Sequence, residues 1–175
     1  MTLGFPNKNS ASKLFFRMAI QRLPLTSYNV QKIYVPGLFV PEVVQSNPFA
    51  NIKHPGEKMM YEECKVTFAI DNDYKNWNEI YTWMTGIGRP ESGDQYAEVL
   101  RGDPALGLGI TSSVTIIGDD SSRRPVVEFE LTKSFPTALT GFTYDTTLNT
   151  ETNDLITATV SFAYTNMIAR SVSTE

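Results

Sequence analysis

The chain has 175 residues, 41% hydrophobic and 19% charged, with a net charge of −4. This length suits one domain whose core needs no disulfide or metal, and the acidic balance argues against a protein that holds nucleic acid by neutralising phosphates. A single cysteine, Cys64, and a single histidine, His54, exclude a disulfide framework and a multi-cysteine or histidine-rich metal centre, and no apolar run approaches the ~20 residues that span a bilayer.

The N-terminal stretch MTLGFPNKNS lacks the apolar run of a signal peptide, so the chain reads as a soluble intracellular product or as part of a particle assembled inside a cell. Leu14–Gln21 alternates, with Leu14, Phe16, Met18 and Ile20 on one face, and predicts a strand. Tyr28–Val35 predicts a second. After the Pro36-Gly37 turn signal, Leu38–Gln45 is extended, with Pro41 marking an edge or a bulge. Asn47–Gly56, with Pro48, Pro55 and Gly56, reads as an exposed loop. Cys64–Asp71 alternates again, with Cys64, Val66, Phe68 and Ile70 inside.

The period then changes. Trp77, Ile80, Tyr81 and Met84 fall at i, i+3, i+4 and i+7, which is the core face of a helix at about 73–85. Asn72 or Asp73 can cap its start and Gly86 can end it. Ile87–Ile110 is too long for an ordinary connection and reads as an inserted loop, with a short helix possible at Gln95–Arg101. Thr111–Ile117 and Val126–Thr132 predict a hairpin around residues 118–122, with Val127, Phe129 and Leu131 facing one way and Glu128 and Glu130 the other. Phe142–Asp145 reads as a short strand. Leu155–Thr165 alternates most clearly, with Ile156, Ala158, Val160, Phe162 and Tyr164 inside and Thr157, Thr159 and Ser161 on a smooth hydroxyl face.

These elements predict a mainly β fold with a single domain at 14–166. Arms at 1–13 and 167–175 show no pattern that packs on the same core, and are expected to lie on neighbouring subunits. Chemistry is nearly absent. Cys64 sits on the apolar face of its strand, where a thiol is usually inert, and His54 lies in a loop. Glu62-Glu63 and Asp119-Asp120 are adjacent pairs whose side chains diverge on a strand. No phosphate loop occurs, and the GxG triplets at Gly86 and Gly107 are too short to count. The chain is therefore not expected to be an enzyme, with no catalytic, cofactor or metal residue. Charge is split: residues 1–60 carry net +5 and residues 61–175 net −9, which suits copies meeting head to tail.

The run FFRMAIQRLPLTSYNVQKIYVPGLFVPEVVQSNPF, followed by HPGEKMMYEECKVTFAIDNDYKNWNEIYTWMTGIG, resembles the tail tube proteins of contractile-tailed bacteriophages. The likeness rests on the strand ending in Arg22-Leu23-Pro24, the Val35-Pro36-Gly37 turn and the Pro55-Gly56-Glu57-Lys58 segment before a strand ending in Asp71. It rests also on the helix bearing Trp77, Glu79, Ile80, Tyr81 and Trp83, and on Lys133-Ser134-Phe135-Pro136-Thr137 before a long final strand. It covers roughly Leu14 to Tyr164. The insertion 87–110 has no counterpart in simpler members.

The resemblance implies two packed antiparallel sheets, a β-sandwich or partial barrel, with one flanking helix. It implies six-copy rings that stack into a tube through which DNA passes without specific binding, in a virion tail assembled in the host cytoplasm. Partners would be further copies, a tail sheath, and baseplate and tail-terminator proteins, with no membrane insertion. A tube subunit is the main reading; a baseplate initiator, a tail terminator or a type VI secretion-like tube subunit shares the fold and stays open, as does a free-standing β-module that binds sugar or protein. Within this frame the loop bearing Asn51, Lys53, His54, Glu57 and Lys58 is expected to touch the next ring. Glu128, Glu130, Thr157, Thr159 and Ser161 are candidates for the channel wall, because an acidic or hydroxyl-lined bore would not retain DNA.

Overall fold

A computed structural model describes residues 14–88, 92–101, 109–144 and 155–172. Eleven strands and three helices run in the order β1 (Phe16–Ile20), α1 (Pro24–Tyr28), β2 (Val30–Tyr34), β3 (Leu38–Phe39), β4 (Glu42–Ser46), β5 (Asn51–Pro55), β6 (Met60–Tyr61), β7 (Cys64–Ala69), α2 (Lys75–Gly88), α3 (Gly93–Arg101), β8 (Ser112–Asp119), β9 (Pro125–Leu139), β10 (Thr157–Ala163) and β11 (Asn166–Ser171). The fold is mainly β and every pairing is antiparallel.

The organising element is β9. Its first half pairs with β8 on one edge and β11 on the other; its second half pairs with β10. The main sheet therefore runs β1-β8-β9-β10-β7-β2, with β11 attached to β9. β10 and β11 are nearly continuous and follow β9 as one bent ribbon. The bend has a local cause. Leu131 pairs with Val114 but Ser134 pairs with Ser112, so β9 holds one residue more than its partner. Lys133 absorbs the extra residue at φ 53°, in the left-handed region. Leu131 and Ser134 are consequently both buried although they are three apart. A left-handed φ costs a residue with a Cβ about 1–2 kcal/mol and a β-branched one more. Lys133→Gly should therefore be at least as stable as the parent in thermal unfolding, and Lys133→Val should lose about 1–2 kcal/mol. Equal stability of the two variants would remove the bulge from this account.

One core joins both sheet halves. Ile20, Val114, Ile116 and Leu131 from one half meet Cys64, Val66, Phe68, Ala158, Val160 and Phe162 from the other, and Leu23, Ile80, Trp83 and Val99 close it from the helical side. The alternations expected of β7 and β10 bury Cys64, Val66, Phe68, Ala158, Val160 and Phe162; those of β1 and β9 bury Ile20 and Leu131 and half-bury Phe16, Met18, Val127 and Phe129, while Leu14, expected inside, is 80% exposed. Cys64 is fully buried, and burial pushes its thiol up to about 12, so it is a core residue and not a nucleophile.

Five expectations are corrected. Asn51–Pro55 is not loop but β5, paired residue for residue with β4. Phe142–Tyr144 is not strand; Phe142 instead packs against Trp77 and Tyr74. Met167–Ser171 pairs with β9 and so is no free arm, with Met167 half-buried against the core across from Leu131. Gly86 does not end α2; it is buried within the helix, which runs on to Gly88. The core face of α2 is rotated: Asn76, Ile80 and Trp83 are buried, Trp77 and Met84 sit at its flank, and Tyr81 is 49% exposed, stacked on Trp77 at 5.3 Å. The short helix suggested for Gln95–Arg101 is present as α3, and α1 is an element that the pattern did not announce.

Candidate assembly surfaces

β3 to β6 build a hairpin arm. β3 pairs with β6 and β4 with β5, each as a separate two-stranded sheet outside the main one. The two pieces meet at a pinch where the Gly56 amide donates to the Pro41 carbonyl at 2.7 Å; a Cβ at Gly56 would come within 2.4 Å of that oxygen, so only glycine fits. The tip is the turn Asn47–Ala50, closed by two backbone hydrogen bonds. Every residue of β4 and β5 is exposed, including Val43, Val44 and Ile52, and Phe49 at the tip is 96% exposed. Two strands alone are marginal in water, and among the described residues nothing covers the apolar side chains of this pair.

Polar contacts hold the root of the arm. Glu62 accepts from the Tyr34 hydroxyl at 2.7 Å and the Gly37 amide at 3.2 Å, and the Tyr61 hydroxyl donates to the Asn166 side chain at 2.9 Å. The Tyr34 and Gly37 bonds hold the Glu62 carboxyl below its ordinary range. A depressed carboxyl stabilises the structure above its unfolded value and loses that contribution as pH falls through the folded one. The Gly37 amide resonance should therefore titrate with a midpoint below the ordinary glutamate value of about 4.3, and Glu62→Gln should abolish the titration. A midpoint at or above that value counts against the clamp.

Asn51, Lys53 and His54 lie on β5, and Glu57 and Lys58 just beyond it, all exposed on the arm. Lys53 pairs with Glu42 at 2.9 Å and His54 contacts the Gln45 side chain at 3.3 Å. The channel candidates fall in two patches. Glu128 and Glu130 share the outward face of β9, beside Arg170, whose guanidinium lies 3.2 Å from Glu130. Thr157 and Thr159 share the outward face of β10, where the Thr159 and Thr67 hydroxyls bond at 3.0 Å; Ser161, expected on that face, is instead buried at 8% exposure.

A third feature has no counterpart in the sequence reading. α1, α2 and α3 enclose a cleft of about 580 Å³. Leu23 and Trp83 form its floor and Val99 one wall. The far end of the insertion is tied down beside it: the Trp83 indole donates to the Ile110 carbonyl at 3.0 Å, and Arg22, stacked over the Trp83 ring at 5.1 Å, donates to the Gly109 carbonyl at 2.6 Å. The sequence suggested α3, but not that Arg22 and Gly109, 87 positions apart, meet.

No family model matches the sequence. The chain is 24% identical over 162 residues to the tail tube terminator protein of Enterobacteria phage T4, a match covering 89% of this chain and 88% of that protein. Its fold is similar to chains in the cryo-EM structures of the anti-feeding prophage tube-terminating cap (TM-score 0.64, 12% identity, 98% of this chain and all of that one) and of the anti-feeding prophage baseplate (TM-score 0.63, 13% identity, 94% and 97%). It is also similar to a chain of the sheath/tube terminator of an extracellular contractile injection system in its extended state (TM-score 0.56, 12% identity, 93% and 98%).

Proposed function

We propose that this chain, a relative of the contractile-tail tube proteins, is a tube terminator: a structural subunit whose ring closes the end of a tail tube. The observation that carries the reading is the sequence relation to a terminator along nearly the whole of both chains. The fold does not separate cap from baseplate, since the two likenesses are almost equal. The sequence relation supports the terminator reading over the tube-subunit reading expected first.

The anatomy of the chain supports an assembling part. Among the described residues its apolar arm has no cover and the strand edges at β1, β2 and β11 are unpaired, which ring closure would consume. Six copies, a tube on one side and a sheath end nearby, and DNA passing through the ring, belong to the same proposal. So does a channel wall bearing Glu128, Glu130, Thr157 and Thr159, although the Arg170 pair already offsets part of the acidic charge.

Growth of tubes from the cognate tube protein tests the function. Added at low molar ratio, this chain should arrest elongation and appear by electron microscopy as one extra ring at a tube end. Alone, it should form rings and no long tubes. Long tubes assembled from the purified chain alone would restore the tube-subunit reading.

A further inference from the structure

We infer that the tip of the arm, Asn47–Ala50, seats in the α1–α2–α3 cleft of a second copy of this chain, with Phe49 as the knob. Among the described residues, two features lack a partner within the molecule, and their chemistries match. Phe49 is a large apolar side chain at 96% exposure, on a turn held outside the main sheet. The cleft offers about 580 Å³ above the buried Leu23 and Trp83, with the exposed Leu25 as its accessible apolar side and Arg22, Lys75, Asn78 and Glu79 around it, within the size range of sites that take a side chain and its neighbours.

Charge identifies the occupant. Among the described residues, the charged groups that line the cleft, Arg22, Lys75 and Glu79, each have a contact inside the chain. Lys75 pairs with Asp73 at 2.7 Å, Arg22 holds Gly109 and stacks on Trp83, and Glu79 lies 3.5 Å from the Thr26 hydroxyl. Such a cleft suits a neutral guest, because a charged one would lose its hydration without gaining a partner. The arm between Val43 and Ile52 contains no charged residue. It is a neutral, partly apolar strand turn, and each copy presents one. Tip and cleft are different surfaces, so the contact is head to tail, the kind that closes into a ring. The insertion 87–110 thereby acquires a role: α3 supplies Val99, one wall of the socket.

The inference rests on the ring reading only in requiring that copies associate, and the test separates the two. Sedimentation of the full chain should show an oligomer. Phe49→Ala should weaken association about 10- to 100-fold, the value of one buried aromatic side chain. Its dissociated monomer should remain folded, with an unchanged circular dichroism spectrum, since the tip lies outside the core. Thr82→Trp, which fills the cleft from the exposed side of α2, should do the same. Mixing the two variants should yield a heterodimer and nothing larger, because only one tip and one socket remain intact. In a Phe49→Cys, Thr82→Cys double variant, mild oxidation should give a covalent ladder absent from either single variant; Cys64 is buried and stays silent.

A wild-type chain that remains monomeric overturns the inference, as do oligomers unchanged by Phe49→Ala or a ladder from Phe49→Cys alone. Rings that survive Phe49→Ala and still arrest tube growth overturn this contact and leave the terminator. A contact that passes every test in a chain that polymerises into long tubes overturns the terminator and leaves the contact.

Discussion

Phe162→Ala is expected to cost about 3–5 kcal/mol of folding stability, a large share of the roughly 5–15 kcal/mol available to a domain. Phe162 is fully buried near the C-terminal end of β10. It faces Cys64 on β7 and Pro136 on β9, and its ring centroid lies 6.3 Å from that of Trp83 on α2. One ring therefore fills the junction where both sheet halves and the helix meet. Truncation removes its transfer free energy and leaves a cavity whose walls come from three elements that cannot all collapse inward. Urea unfolding should show a lower midpoint with an unchanged slope, since the surface exposed on unfolding hardly alters. A loss below about 1 kcal/mol would mean that the junction repacks and the helix is only loosely seated.

Asn76→Ala is expected to cost about 2–4 kcal/mol although it removes no apolar contact of note. Asn76 is fully buried at the start of α2. Its Oδ1 accepts from the Asp71 amide at 3.2 Å and the Trp77 amide at 2.8 Å, and its Nδ2 donates to the Ala69 carbonyl at 2.7 Å. Its own carbonyl accepts from the buried Thr26 hydroxyl at 3.1 Å, which ties α1 to α2. The side chain thus satisfies backbone groups at the exit of β7 and the entry of α2. Alanine leaves the Ala69 carbonyl and the Asp71 amide without those bonds. Asn76→Asp adds a distinguishing signature. Its carboxylate would face the Ala69 carbonyl in a buried site, so its folded value would be raised. The variant should then be most stable at low pH and lose stability as pH rises through that raised value. A pH-independent Asn76→Asp would show that the site is wet and the network weak.

Both residues bear on what was legible beforehand. Phe162 was readable because β10 alternates, and a period of two leaves one choice of face. Asn76 was not. A polar residue in a helix counts towards the solvent face, and its cost on burial is met only by backbone groups that the fold brings to it. The same blindness rotated α2. Trp77, Ile80, Tyr81 and Met84 form a good apolar stripe, but Asn76, Ile80 and Trp83 share the turn. Periodicity ranks residue types and cannot see that Trp83 has an acceptor waiting at Ile110. The strand β5 was missed for a related reason: Pro48, Pro55 and Gly56 are loop signals, yet both Pro55 and Gly56 sit at the pinch of the arm, where one ends a strand and the other allows a close crossing.

By itself the sequence determined the β character, the inward faces of β1, β7, β9 and β10, the position of the long helix and the inertness of Cys64. All of these follow from local alternation and composition, which act over a few residues. Only the tertiary structure decided the bent β9 ribbon, the isolation of the arm and the existence of the cleft. Each of those depends on groups that lie far apart in the chain, Arg22 with Gly109, Tyr61 with Asn166 and Leu131 with both Val114 and Met167. Local pattern carries no record of such meetings, because it is the packing of the whole core that sets the distances between them.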